Sequence, residues 1–319
     1  MRTPLQLFNA IEAKKRFHRE DSNILFYQYQ RKIDKELMEK LIIDSEWEEV
    51  IAYPLTWSRR IFLPLYLNPI IKKHGSINHG YLGAFNSIVN LLINTVTPQK
   101  IIILDDGTKT LGIANNIARG DVNRKENSLK TIRNKIFNLD RSYLYEASFF
   151  TIYTLENYKI DNEIILNDYR EFKKVLASYP QEELVYFIGT NLNEKILSSN
   201  QSFEENLKKV VDYYKGKKFI YVAHRYEDLN YLETLAKKYA FEAIRFQNIL
   251  EVEITNGGFI PIEFSTFGSS AIETLPLLFS QSKYRIFEIS SKDILPKKQV
   301  AMKNLYENFK EKAYEIISL

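Results

Sequence analysis

Lys217-Lys218-Phe219-Ile220-Tyr221-Val222-Ala223-His224-Arg225 is an apolar run that breaks into a charged tip. The pattern predicts a buried strand with one histidine and one arginine at its carboxyl end, the edge at which open α/β sheets take ligands. Downstream, Pro261-Ile262-Glu263-Phe264-Ser265-Thr266-Phe267-Gly268-Ser269-Ser270-Ala271 predicts a second strand followed by two serines at the mouth of a helix. Backbone amides and hydroxyls at such a helix start suit a phosphate. The second half of the chain is therefore the candidate nucleotide-binding half, and the first half is left to bring an acceptor.

Around these segments the pattern alternates between strand and helix. Leu184–Ile188, 217–223, 242–246 and 259–264 read as strands, and about 203–215 and 228–239 as helices. Tyr284–Glu288 reads as the last strand. Pro296 then precedes a final helix, about 299–317, with Ala301, Leu305, Phe309, Ala313 and Ile316 on one face. In the first half, Thr3 is a plausible N-cap and Pro4 the first helical residue, with Leu5, Leu7, Phe8, Ile11 and Ala13 as the apolar stripe. No strand is visible before this helix, so the first strand of this half is either very short or upstream of the sequence. Asn23–Tyr29 and Glu49–Tyr53 read as strands around a helix near Asp34–Ile43. His74–Asn86, with three glycines, reads as close turns, and Lys100–Leu104 as a buried strand ending in Asp105-Asp106-Gly107-Thr108. Residues 115–145 read as helices with a mobile acceptor-side or membrane-side segment, and 158–182 as the linker. The fold class is α/β in two domains, 1–160 and 161–296.

Bulk composition narrows the function. The 319 residues are 45% hydrophobic and 26% charged, enough for a full core. Lys and Arg number 44 against 40 Asp and Glu, an excess too slight to argue for nucleic acid. The absence of cysteine excludes disulfides, a thiol nucleophile and cysteine-ligated zinc. No signal-peptide core or membrane-length apolar run is present, which predicts a cytoplasmic protein. Lys297, Lys298, Lys303, Lys310 and Lys312 read either as a solvated helix face or as a peripheral membrane contact. A homodimer is also allowed for.

Each candidate has a plain alternative. A carboxylate at the end of the 100–104 strand, followed by glycine, is placed to take a proton from a bound hydroxyl, or else to cap the next helix. Adjacent strand residues face opposite ways, so Asp105 and Asp106 read as one functional acid and its neighbour, not as a metal chelate. His224 with Arg225 would favour a departing phosphate, or is a hydrogen-bonded structural histidine. His79 lies in the glycine-rich turn, and His18 reads as solvated. One of Ser269 and Ser270 would cap the helix, with Glu273 completing a capping box from Ser270. Glu263 would bind ribose or base, or is an edge-strand surface residue.

In chain order, Asp105-Asp106-Gly107, His224-Arg225 and Ser269-Ser270 resemble the motifs of the bacterial lipooligosaccharide and capsule sialyltransferases: an acidic pair with glycine, a histidine usually followed by proline, and a serine-rich helix start. Thr3–Ala13 also looks like that family's first loop and helix. Arginine in place of the usual proline after His224 keeps the cation and changes the local turn.

The resemblance implies a GT-B architecture of two Rossmann-like domains facing across a cleft, with a C-terminal helix, 297–319, on the first. It implies an inverting transfer, without metal or cofactor, of sialic acid or a related nonulosonic acid from a CMP-sugar to a cell-surface glycan or glycolipid. Asp105 would be the general base and Asp106 its support. His224 would be the general acid or electrostatic partner, and Ser269 and Ser270 the phosphate ligands. Arg225, Glu263, Gly189 and Gly268 would be neighbours of the nucleotide, and Gly107 and His79 would lie on the acceptor side. Two other classes compete. A hydrolase would use Asp, His and Ser, though the glycine of a nucleophile elbow is missing after Ser269 and Ser270. The other is a catalytically silent nucleotide- or glycan-binding protein.

Overall fold

Thr3 caps the first helix, Pro4–Phe17, by accepting the Gln6 amide at 3.3 Å. Its apolar side carries Leu7, Phe8, Ala10, Ile11 and Ala13, all buried. Ala10 and Ala13 pack on Ile102, Leu104 and Phe150 of the sheet below. Full burial of a side chain such as Leu104 or Phe150 contributes about 2 kcal/mol, which is what holds this helix against the sheet. The computed structural model describes residues 1–319 apart from 44, 57, 60, 61, 75, 124–131, 133, 193–195 and 313. Gly75 of the glycine-rich turn, Ala313 of the final stripe and part of the 115–145 segment therefore lie outside the described residues.

The chain divides into two compact units, Met1–Glu171 and Phe172–Leu319. In the first, strands β1 (Ile24–Tyr29) and β2 (Glu49–Pro54) pair in parallel. Met1 lies beside β1, its nitrogen donating to Phe26 O at 2.6 Å and its carbonyl accepting the Gln28 amide at 2.8 Å. Strands β3 (His79–Leu82), β4 (Lys100–Leu104), β5 (Ser148–Thr151) and β6 (Ile164–Leu166) form a second parallel sheet in that order. Strand β6 and the helix Arg170–Leu176 occupy the stretch expected to be a linker, so the division falls after Glu171 and not at 160.

The second unit is one six-stranded parallel sheet of β7 (Gln181–Ile188), β8 (Lys218–Val222), β9 (Glu242–Ile244), β10 (Ile260–Thr266), β11 (Lys283–Glu288) and β12 (Glu315–Ser318). Its order is β12-β11-β10-β7-β8-β9. The chain winds outward from β7 through β8 to β9, returns to pair β10 with β7, and winds the other way. That reversal makes the β7/β10 boundary a topological switch point.

The last strand is β12, not β11, because the final helix is shorter than its stripe suggested. It runs from Pro296 to Glu311, and Ile316 belongs to β12, opposite Ile286. The buried positions are Met302, Tyr306 and Phe309, whereas Ala301 is exposed. The helix packs within its own unit: the Tyr306 hydroxyl accepts the Ile289 amide at 3.2 Å, and Leu305 lies against Gly268. The resemblance had assigned it to the first domain. Lys303, Lys310 and Lys312 pair with Glu307, Glu288 and Glu273, which takes three of the five lysines out of a basic surface. Among the described residues no helix is long and apolar enough to cross a membrane.

Candidate functional site

At the carboxyl end of β4 the two adjacent acids have opposite environments. Asp105 is 2% exposed. Its Oδ1 accepts the Thr110 hydroxyl at 2.5 Å, and its Oδ2 accepts the Thr151 hydroxyl at 3.1 Å and the Ile152 amide at 3.0 Å. Its carbonyl accepts Asn9 Nδ2 at 2.9 Å, tying the loop to the first helix. Burial raises the Asp105 carboxyl above the usual carboxylate range, against the pull of those three donors.

Asp106 faces the other way, with its carboxylate paired to the exposed Lys109 at 2.7 Å. Gly107 then turns the chain at φ +63°, and a methyl added there would meet nothing within 4 Å, so it is the backbone conformation and not crowding that favours glycine. Asp105, expected to be the base, is thus the acid that fixes the loop. Asp106 is the one presented at the strand tip.

His79 does not belong to this edge. It is the first residue of β3, opposite Lys100 at the start of β4, and so stands at the amino end of the sheet. The expected turn there is strand because His79–Leu82 pairs residue for residue with Lys100–Ile103. The His79 ring lies 4.8 Å from that of His18. His18 is not solvated: its nitrogens bond Asp21 at 2.7 Å and the Tyr81 hydroxyl at 2.8 Å.

In the second unit the candidates gather at the carboxyl edge. Gly189 and Thr190 follow β7, His224 and Arg225 follow β8, and Gly268, Ser269 and Ser270 follow β10. Glycine at 189 is required by close approach, since a methyl would stand 2.8 Å from Tyr221 Cε1 and closer still to Glu227 Oε2. A methyl at Gly268 would stand 3.0 Å from Leu305 Cδ2. The His224 Nδ1 accepts the Tyr226 amide at 3.3 Å. In the neutral ring that bond places the proton on Nε2. The Arg225 guanidinium lies 5.0 Å over the Tyr226 ring.

The serines do not open a long helix. Ser270–Glu273 is a single 3₁₀ turn, followed by the four-residue helix Leu275–Leu278, so little helix dipole stands behind the site. Ser269, not Ser270, is the cap, accepting the Ala271 amide at 3.4 Å, and Glu273 pairs with Lys312. The Thr266 hydroxyl takes up the Gly268 and Ser269 amides at 3.1 and 3.0 Å. Ser270 is the exposed serine.

Glu263 is neither a ribose ligand nor an edge residue. It is 1% exposed in the central strand β10, where it bonds Arg285 and the Tyr214 hydroxyl. Pro261, which suggested an edge strand, stands near the start of β10, where the pairing with β7 shifts register. Sequence reasoning missed Glu227, 9% exposed and bonded to Tyr221 and the His224 amide. Its only signal was its position in the same polar tip as His224. Among the described residues no three His, Asp or Glu side chains converge as metal ligands.

Neither a family model nor any curated protein matches the chain. Solved structures do share its fold. A Listeria monocytogenes protein assigned as a UDP-N-acetylglucosamine 2-epimerase superposes with a TM-score of 0.50 at 9% identity, over 97% of this chain and 85% of that one. Arabidopsis thaliana UGT89C1 in complex with UDP-L-rhamnose gives 0.48 at 10% identity, over 99% and 82%. A UDP-glucose:anthocyanidin 3-O-glucosyltransferase in complex with UDP gives 0.47 at 10% identity, over 96% and 83%. The fold is accordingly of the GT-B type: an α/β chain of two units built on parallel sheets.

Proposed function

We propose that this protein is a glycosyltransferase whose second unit holds a nucleotide-sugar and whose first unit presents a glycan hydroxyl. The donor is CMP-sialic acid or a related CMP-nonulosonic acid. The observation that carries the reading is the gathering of Gly189, His224, Arg225, Gly268, Ser269 and Ser270 at the carboxyl edge of one sheet, around its switch point. Nucleotides bind at such edges. The CMP part rests on the order of the three short motifs.

In the reaction, the acceptor oxygen bonds the anomeric carbon as that carbon's bond to the phosphate oxygen breaks. The electron pair leaves with CMP, and the acceptor proton goes to Asp106, whose exposed Lys109 partner is easily exchanged for substrate. Charge grows on the departing phosphate, where the Ser270 hydroxyl, the His224 Nε2–H and the Arg225 guanidinium would stabilise it. Asp105 and Ser269 hold the loops that carry these groups. Against a Ser-His-Asp hydrolase stands the missing glycine of a nucleophile elbow after Ser269 and Ser270.

Calorimetric titration of CMP, with UDP alongside because the epimerase neighbour is named for a UDP-sugar, tests the donor. CMP binding that weakens in His224→Ala and Ser270→Ala is the expected result, followed by sialic acid transfer to lipooligosaccharide or capsule glycans that Asp106→Asn abolishes. Binding of UDP and not CMP would overturn the donor assignment. CMP binding without turnover on any acceptor would leave a nucleotide-binding protein.

A further inference from the structure

The loop that carries His224 is organised around Glu227. The Glu227 Oε2 accepts the His224 amide and its Oε1 accepts the Tyr221 hydroxyl, each at 2.7 Å. Arg245 closes the loop from outside, donating to the carbonyls of Glu227 and His224. Tyr221 is itself fixed, fully buried between Phe187, Phe203 and Phe241. Space for the carboxylate comes from Gly189 on the neighbouring strand end, where any side chain would collide with Glu227 Oε2. An acid thus fills the gap between the ends of β7 and β8, one strand from the switch point.

Two donors converge on this carboxylate, and both oxygens are used. An amide side chain has one acceptor oxygen and would turn its NH2 toward the other donor. The arrangement therefore needs an ionised carboxylate, although burial disfavours one. Burial pushes Glu227 up to about 7, with the Tyr221 hydroxyl, the His224 amide and the Arg245 charge drawing it back. Tyr221 is raised well above its ordinary value by its own burial and by Glu227, so it remains a donor.

We infer that Glu227 is the positioning residue of the anion-binding loop: by holding the His224 amide and the Tyr221 hydroxyl together, it sets where His224 and Arg225 stand at the sheet edge. The inference rests on the proposed role of His224 toward the donor phosphate. Protonation of Glu227 removes one acceptor and releases one of the two donors, so the loop is held at pH 8 and loosened at pH 5.5. The groups facing Glu227 from the packed elements are Tyr221 on β8, His224 in the loop and Arg245 after β9.

The test pairs nuclear magnetic resonance with CMP titration on the whole chain. In the wild type, the His224 backbone amide proton should move between pH 5.5 and 8.5 with a midpoint near that of Glu227, about 7. In Glu227→Gln that step should vanish while the amide spectrum stays folded. The variant's CMP affinity at pH 8 should fall about tenfold, the scale of one lost charged hydrogen bond, with Glu227→Asp recovering part of it. A His224 amide with no such step in the wild type, or equal CMP affinities in wild type and Glu227→Gln, would overturn the inference. If the wild type binds no CMP, the donor assignment fails, and the amide titration alone decides whether Glu227 holds the loop.

Discussion

Replacing Asp105 with alanine separates a structural acid from a reactive one. The change leaves three donors facing a buried gap: the hydroxyls of Thr110 and Thr151 and the amide of Ile152. An orphaned buried donor costs about 1–3 kcal/mol. The three share one carboxylate and the shortened side chain leaves room for water, so a combined loss of about 3–5 kcal/mol is expected rather than the full sum. With a urea dependence of about 2 kcal/mol/M, the unfolding midpoint should fall by about 2 M. Both tryptophans, Trp47 and Trp57, lie in the first 171 residues, so their fluorescence follows this unit alone. Asp106→Ala is the matched control. It removes only an ion pair with an exposed lysine and should shift stability by less than about 1 kcal/mol while abolishing transfer. The reasoning is refuted if Asp105→Ala unfolds with the wild type, or if it remains as stable as Asp106→Ala and alone loses turnover.

Glu227 gives the second unit a pH-dependent stability. Its folded value, about 7, lies above its ordinary 4.5, because burying the ionised form costs more than the loop's hydrogen bonds return. Stability is therefore full below about 4.5 and falls by about 3 kcal/mol as pH rises through about 7, even as ionisation orders the loop. Thermal unfolding at pH 5 and pH 8 should show a larger fall in wild type than in Glu227→Gln; equal falls would contradict it. Gly189→Ala forces a methyl against Glu227 and Tyr221 and should cost about 1–3 kcal/mol by chemical denaturation, with weaker CMP binding. Glu263→Gln leaves the buried Arg285 with Glu315 as its remaining acidic partner and should cost about 3 kcal/mol. CMP affinity of the folded Glu263→Gln protein should be unchanged, and a large loss would return Glu263 to the nucleotide.

The strands were legible where an apolar run ended at a polar tip. Lys100–Leu104 formed as read, and 217–223 contains β8, because side chains buried on both faces leave an unbroken hydrophobic signature. What sequence could not supply was which groups arrive from elsewhere. Alternation separated Asp105 from Asp106, but the covered face is decided by Thr151 and Ile152 at the end of β5, more than forty residues away. Glu227 looked like one more charge in a turn, and its burial depends on Gly189 from another strand. The final helix was overextended because Ile316 falls on its periodicity, whereas the four residues Glu315–Ser318 gain more by pairing with β11.

Three strand ends follow one arrangement. At β4 the buried Asp105 gathers nearby donors, and Asp106 is left at the tip. At β8 the buried Glu227 takes the His224 amide, and the half-buried His224 and the exposed Arg225 stand at the tip. At β10 the buried Thr266 hydroxyl takes the amides of Gly268 and Ser269, and Ser270 is the exposed residue that follows. In each case a buried acceptor fixes backbone that would otherwise be loose at a strand end, and a less buried neighbour (Asp106, His224 or Ser270) is presented with little ordering cost at binding. Substitution of the buried partner should therefore change stability as well as affinity, and substitution of its less buried neighbour should change affinity or turnover more than stability.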